Sequence, residues 1–467
     1  MSKKIIPNGE FPTSKNLYKA FMLMAWPAMV ESVLMSLVNI VDTIMVSNCG
    51  TVAVSAVGIT TQPRMIFYSV FFALNIAVTA IVARRKGQND KEGANDCLMQ
   101  MLGLAGVLAV VLCGLAVLNA EALVRMAGAK DDTVGLATQY FKITMVGLIF
   151  TSVGMVINGA QRGSGNTKIS MRTNAVANVT NIIFNALLIN GLWIFPEWGV
   201  TGAAVATLIG NVASFVMSLV SIIGKNKYLR LRPLGLIKWK APLLKTIGKV
   251  ALGAGTEQVF VRIGFLIFSK IVADLGTVEF ATHTICMSII TLSLSVGDGL
   301  SSACSALIGQ NLGKNRPDMA TLFAKAGQRI GFLVSAILMV LFIFGGEFMV
   351  DLFAKNDDPF YHDVMRIGVN LTYIITIVAP GLIAQVIYNG ALRGAGDTKF
   401  VAVTSAISIA LIRPAVAFLL CNPGGIIPWY AGIGIYGAWI SLLLDQYVRL
   451  AFSAYRFKGG KWQKISI

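Results

Sequence analysis

Four asparagines, Asn174, Asn178, Asn181 and Asn185, are spaced four, three and four apart inside one apolar run of the chain. On a helix that spacing puts four amides on a single face. Another apolar run carries Glu31, Asn39 and Asp42. Eleven residues separate its two acids, a rotation of about 1100° and so only about 20° from three full turns, and Asn39 falls one turn before Asp42. All three share a stripe. An ionisable group within a membrane span costs about 3 kcal/mol on insertion scales and therefore needs a reason to be there. A carboxyl group withdrawn from water favours its neutral form, so it can pick up and release a proton. Carboxylate, amide and hydroxyl oxygens gathered together can also hold a hard cation such as sodium. The chemistry these residues suit is reversible ion binding.

Bond-making chemistry has less support. The six cysteines (49, 97, 113, 286, 304 and 421) fit no paired metal spacing and are expected to be free thiols, with a Cys49–Cys421 disulfide as the alternative. His283 and His362 stand alone and read as structural. Ser295-Val296-Gly297-Asp298 lacks the first glycine of an intramembrane aspartyl protease motif. No enzyme activity, cofactor or firm metal site is expected; the ion bound is expected to be a proton, with sodium as the alternative.

The elements that must position these groups follow from composition. Of 467 residues, 55% are hydrophobic and 13% charged, and mean hydropathy is +0.71. A soluble fold of this size could not cover so much apolar surface. Twelve apolar runs reach the roughly 20 residues needed to cross a bilayer: 18–47, 53–83, 94–121, 134–160, 170–193, 199–223, 246–273, 280–311, 319–346, 362–391, 400–421 and 433–455. The net charge of +17 invites a nucleic-acid reading, but its placement argues otherwise. With the N-terminus inside, the connecting segments on that side carry 24 Lys and Arg, against Arg125, Lys130 and Lys355 on the other. That asymmetry predicts an all-α membrane protein of twelve spans with both termini cytoplasmic and no nucleic-acid partner. The first 16 residues are polar and the first apolar run is long, so no cleaved signal peptide is expected.

The chain is also duplicated. Residues 158–168, NGAQRGSGNTK, and 389–399, NGALRGAGDTK, agree at eight of eleven positions, each a basic, glycine-rich turn between long apolar runs. Neither has the Gly-Lys-Ser/Thr ending of a phosphate-binding loop. Pro27-x3-Glu31 answers Gly253-x3-Glu257, and Arg85–Asn89 answers Asn311–Asn315. Six spans per repeat is an even number, so the repeats are parallel. The expected division is an N-terminal lobe over 1–223, a solvated basic linker over 224–245 and a C-terminal lobe over 246–467. The amide wall exists in one copy only, since its equivalents are Ser405, Ile409, Ile412 and Val416. The ion site is therefore expected in the N-terminal lobe. The second lobe carries Glu257, Arg262, Asp298, Arg413, Asp445 and Arg449. Internal pairing is the leading reading of these, with Glu257, Arg262 and Asp298 as a possible second site. Pro27 interrupts the first span and predicts a kink that could serve as a hinge.

Several stretches together resemble the multidrug and toxic compound extrusion (MATE) family. They are Val41-Asp42-Thr43 with Val46, the paired R-G-x-G-[ND]-T-K loops, Gly202-Ala203-Ala204-x2-Thr207, Glu257-Gln258 and Gly309–Gly313. The resemblance covers nearly the whole chain. It implies two six-helix lobes forming a V, and a first-span coupling acid at Asp42 completed by Asn181, Asn185 and Thr207. Many relatives have Asp where this chain has Asn185, which weakens the sodium case, and the tenth-span acid of some branches is missing. The function implied is export of amphipathic, often cationic organic compounds across the cell membrane, in exchange for inward protons or sodium. Small-molecule substrates and membrane lipid are the partners expected of a monomer. A lipid-linked precursor flippase of the same superfamily is the nearest alternative; a membrane receptor or channel is an alternative of another class.

Overall fold

The computed structural model describes residues 12–47, 49, 51–192, 196–224, 227–232, 239–353, 360–422 and 432–465. Among the described residues there are helices and turns but no strand. In chain order the helices are α1 (Ser14–Ser47), α2 (Thr51–Gly87), α3 (Lys91–Leu118), the short α4 (Ala120–Met126), α5 (Val134–Gly163), α6 (Thr167–Ile189) and α7 (Gly199–Ile222). They continue with α8 (Ala241–Ala273), α9 (Thr277–Gly313), α10 (Pro317–Asp351), α11 (Tyr361–Gly394), α12 (Thr398–Ile407), α13 (Arg413–Cys421) and α14 (Ile435–Lys458). A π-helical turn, Ser408–Ile412, joins α12 to α13 into one span. The twelve apolar runs correspond to α1–α3, α5–α11, the α12–α13 unit and α14.

Ten of these spans are long and apolar enough to cross a bilayer by length and composition. The two that fall short of that measure are α6, with its four asparagines, and α14, with Asp445 and Arg449. The polarity that disqualifies them is the polarity that builds the sites described below. Elsewhere the helices are apolar even where exposed. On α3, Val107, Val110, Val111, Leu115 and Leu118 form an outward stripe at helical spacing, and on α10 Leu333, Ile337, Val340, Leu341, Phe344 and Phe348 do the same. Stripes of this length face lipid, since water would penalise them.

The sequence repeats turn out to be repeated solutions to helix ends. Gly163 ends α5 and Gly394 ends α11. A Cβ at Gly163 would stand 2.5 Å from the Thr79 carbonyl oxygen, and one at Gly394 would stand 2.2 Å from that of Ser305. The first glycine of each R-G-x-G loop thus admits a neighbouring backbone, of α2 in one copy and α9 in the other. The second, Gly165 (φ 96°) or Gly396 (φ 87°), takes the left-handed conformation that turns the chain. Asn89 and Asn315, likewise equivalent in sequence, are both left-handed just past the ends of α2 and α9.

Two compact units result. One comprises Trp26–Gly255 with Gly309–Asn315; its core packs Phe71, Phe141, Met145 and Leu98. The other comprises Met1–Ala25, Thr256–Ile308 and Arg316–Ser466, with Trp439, Phe268 and Phe342 fully buried in it. The division falls inside α1, between Ala25 and Trp26, and inside α8, between Gly255 and Thr256. Pro27 and Gly255 stand at these two points.

The connection between α7 and α8 differs from a solvated linker over its described residues. Asn95 of α3 donates to the Tyr228 carbonyl (3.0 Å) and accepts from the Arg230 amide (2.7 Å). Arg232 pairs with Asp96 (2.8 Å) and with Glu92, and Leu229 is 2% exposed. The acids in the first turns of α3 supply the charge that draws this basic segment down. Lys225 and Lys238 lie outside the described residues.

Candidate ion-coupling site

Helices α1 and α6 run in the same direction and are joined by two rungs in register. Asn174 donates to Glu31 Oε1 at 2.7 Å, and Asn185 donates to Asp42 Oδ1 at 2.6 Å. Both rungs link residues 143 apart in sequence. The two acids of α1 and the two outermost asparagines of α6 share an eleven-residue spacing, which returns to the same face after three turns of each helix. The amide wall read from the sequence is therefore divided between two acids about 16 Å apart along the axis.

The outer rung is the larger cluster. Asn181 lies one turn before Asn185 and is almost wholly buried. Its amide is best oriented with nitrogen donating to Asp42 Oδ1 (2.8 Å) and oxygen towards the Thr207 hydroxyl (3.3 Å), because this orientation alone pairs donor with acceptor at Asp42. Thr207 on α7 also donates to the Ala203 carbonyl at 2.9 Å. The structure thus brings Asp42, Asn181, Asn185 and Thr207 together. Among the described residues no Lys or Arg is in ion-pair contact with Asp42; Arg64, within electrostatic reach, bonds instead to the Tyr140 hydroxyl. Among the described residues the Asn185 carbonyl oxygen is buried with no hydrogen-bond partner. It is an oxygen ligand in waiting beside a carboxylate. The Asn39 side chain lies outside the described residues. Asn178 is on the expected face of α6, its amide nitrogen buried with no partner among the described residues.

The inner rung is closed by an ion pair. Glu31 Oε1 accepts from Arg162 (2.9 Å) and Ser170 (2.9 Å) as well as from Asn174, and Arg162 also donates to Asn75 at 3.0 Å. Glu31 is therefore placed with the arginine of the first R-G-x-G loop, not with the Asp42 cluster. The same contact recurs in the second copy, where Arg393 pairs with Glu257 at 2.5 Å. Glu257 is thus paired with the arginine of the second R-G-x-G loop. Arg262 is half-buried on α8, and Asp298, on α9, is exposed yet within electrostatic reach of both Arg393 and Glu257.

The remaining acid of the second lobe is saturated. Asp445 is fully buried and takes hydrogen bonds from Arg413 (2.5 and 3.1 Å), Arg449 (2.9 Å) and Ser408 (2.5 Å). The π-helical turn spaces Ser408 and Arg413 so that both reach it. Arg413 also lies over the Phe265 and Phe268 rings. His283 is buried edge-on against Phe268 and Trp439, and all six cysteines are free.

Sequence reasoning missed the two loop arginines as partners of Glu31 and Glu257. The signal was present: each repeat keeps both an acid of the first span and an arginine at the end of the fourth. It also missed Arg64 and Tyr140 near Asp42, for which no pattern exists.

Comparison with known proteins agrees with this architecture. The family model described as MatE matches twice, over residues 27–187 and 254–419, once per repeat. The probable multidrug resistance protein NorM of Thermotoga maritima is 27% identical over 465 residues, covering 100% of this chain and 97% of its own. The uncharacterized transporter YisQ of Bacillus subtilis is 25% identical, with 95% of each chain covered. Among solved structures, a MATE protein in complex with MaL6 superposes with a TM-score of 0.88 at 20% identity, covering 96% of this chain and 98% of that one. The outward-facing form of a multidrug resistance MATE transporter of the MOP superfamily gives 0.87 over 98% and 100%. Two matches that together span most of the chain make it a member of the MatE family of membrane transporters.

Proposed function

We propose that the protein is a secondary antiporter that exports amphipathic organic cations, driven by inward movement of a proton, or of sodium, through the Asp42 cluster. One observation carries this reading: Asp42 is a membrane-embedded acid held by neutral amides, whereas Glu31, Glu257 and Asp445 are each held by a guanidinium. A buried carboxylate bound to arginine loses a stabilising partner if it is neutralised. A carboxylate bound to amides does not, because an amide offers a donor on one side and an acceptor on the other. Asp42 can therefore change its charge, or share it with a cation, without breaking a salt bridge. For sodium, the ligands at hand are its carboxylate, the free Asn185 oxygen, the Asn181 oxygen and the Thr207 hydroxyl.

The energetics suffice. A tenfold substrate gradient needs about 1.4 kcal/mol, and one charge crossing 100 mV supplies about 2.3 kcal/mol. Exchange of one cation for another cancels the electrical part, leaving the ion's concentration gradient to drive export.

The test is efflux of a fluorescent organic cation from proteoliposomes, with proton and sodium gradients imposed separately, for wild type and Asp42→Asn. The expected result is gradient-driven transport that the substitution abolishes while the protein elutes as a folded species. Gradient-driven transport surviving in Asp42→Asn would remove the cluster from the coupling mechanism.

A further inference from the structure

Above the Asp42 cluster lies a pocket of about 390 Å³, lined by ten residues that include Cys49, Ala53, Ile189, Glu197, Trp198 and Val200. It is formed where α1 gives way to α2 and where α6 gives way to α7, at the ends of these helices opposite the R-G-S-G loop. By the distribution of lysine and arginine this is the outer face. Its floor is a small apolar layer built from Val46, Ala53, Tyr140, Ile189, Val200, Ala203 and Ala204.

The register of that layer against the ion site is what gives the pocket meaning. Val46 is one turn beyond Asp42 on α1, Ile189 is one turn beyond Asn185 on α6, and Ala203 is one turn before Thr207 on α7. Each of three site residues thus stands directly beneath a floor residue of its own helix. The separation is a single turn, about 5.4 Å. Three of the layer's seven residues are alanines.

The pocket itself is charged in one sense only. Glu197 lines it, and among the described residues no Lys or Arg does. Glu197 acts on Cys49 across the pocket: together with burial, its charge raises the Cys49 thiol above its ordinary value. A carboxylate in a concave, partly apolar recess concentrates cations from solution. The volume accommodates a monovalent cation with much of its hydration.

We propose that this pocket is the outer vestibule of the N-terminal lobe, in which Glu197 collects the inorganic coupling cation before it passes the apolar layer to Asp42. The proposal rests on the coupling role of Asp42. Glu197 is a positioning residue for the ion; it does not complete the binding site.

The measurement is the dependence of transport rate on coupling-ion concentration at the outer face, in low-salt buffer, for wild type, Glu197→Gln and Asp42→Asn. Glu197→Gln is expected to raise the half-saturating ion concentration about threefold to tenfold with the maximal rate unchanged, and added inert salt should erase the difference. A second arm uses Cys49, half-buried where the other five cysteines are buried. In folded protein, a membrane-impermeant cationic thiosulfonate should raise the half-saturating concentration, whereas an anionic thiosulfonate of similar size should not. Cys49→Ser should be insensitive to both. If Asp42→Asn abolishes coupling but Glu197→Gln leaves half-saturation unchanged, the vestibule is wrong and the coupling site stands. If Asp42→Asn still couples, the coupling reading fails first. Equal slowing by both reagents, or a shift in half-saturation for the organic substrate in place of the ion, would also overturn the vestibule.

Discussion

The difference between Asp42 and its neighbour Glu31 is set by one residue, Arg162. Removing that guanidinium leaves Glu31, which is 5% exposed, with Ser170 and Asn174 as its donors among the described residues. Breaking one side of a buried pair typically costs about 3–5 kcal/mol, more than the pair contributes as a whole. Arg162→Met should therefore lower thermal stability in detergent sharply, and adding Glu31→Gln should recover part of the loss. If the two losses simply add, the pair is not coupled. On the antiport reading, Asn181 has a different task. While Asp42 is charged, the Asn181 nitrogen must face it; once Asp42 carries a proton or shares a cation, an oxygen is wanted there. The Asn181 amide can provide either by turning about its own side-chain bond, with no movement of α6.

At the scale of the helix, two features can be tested separately. Gly394 has the Ser305 backbone where its Cβ would go, while Gly345 on α10 has open space. Gly394→Ala should cost about 1–3 kcal/mol through overpacking, and Gly345→Ala should be neutral or stabilise by up to about 1 kcal/mol through helix propensity. A difference in melting temperature between the two checks this. Pro27 stands beside the point where α1 passes from one compact unit to the other. A proline there leaves one backbone hydrogen bond unmade, so the helix bends more readily than its neighbours. As a hinge it should govern rate and leave ion binding alone. Pro27→Ala is therefore expected to reduce maximal transport several-fold with the half-saturating ion concentration unchanged; wild-type rates in that variant would sink the hinge.

For the whole molecule, the distribution of lysine and arginine predicts which face is which. In a Cys49→Ser background, a cysteine replacing Lys130 should react with an impermeant reagent added outside intact cells. One replacing Lys314 should react only once the inner face is exposed. Helix positions and the duplication were legible in the sequence because hydrophobic length and repeated loops are local signals. The grouping of Asp42 with Asn185 came from the family resemblance, since equal spacing on two helices does not say that they adjoin. The partner of Glu31 was not legible, because Arg162 lies 131 residues away, and choosing it requires knowing which helices adjoin. The docking of Tyr228 and Arg232 onto α3 was hidden for the same reason: basic composition is the same whether a segment is solvated or pinned.

The polarity of α6 and α14 also bears on how the chain is made. A segment enters the hydrocarbon on its own only if its side chains favour lipid, and uncompensated polar groups within it carry a penalty. Helix α6 reaches the translocon just after α5, with α1 already synthesised, so Asp42 and Glu31 are present to receive its asparagines as it arrives. Helix α14 is the last span to emerge, and Arg413 precedes its Asp445 by 32 residues. Its Asp445 therefore meets a waiting arginine. Each polar span is born after its partner, so insertion of the membrane domain is ordered in time, and a chain truncated before α14 would leave the Arg413 charge stranded in the bilayer.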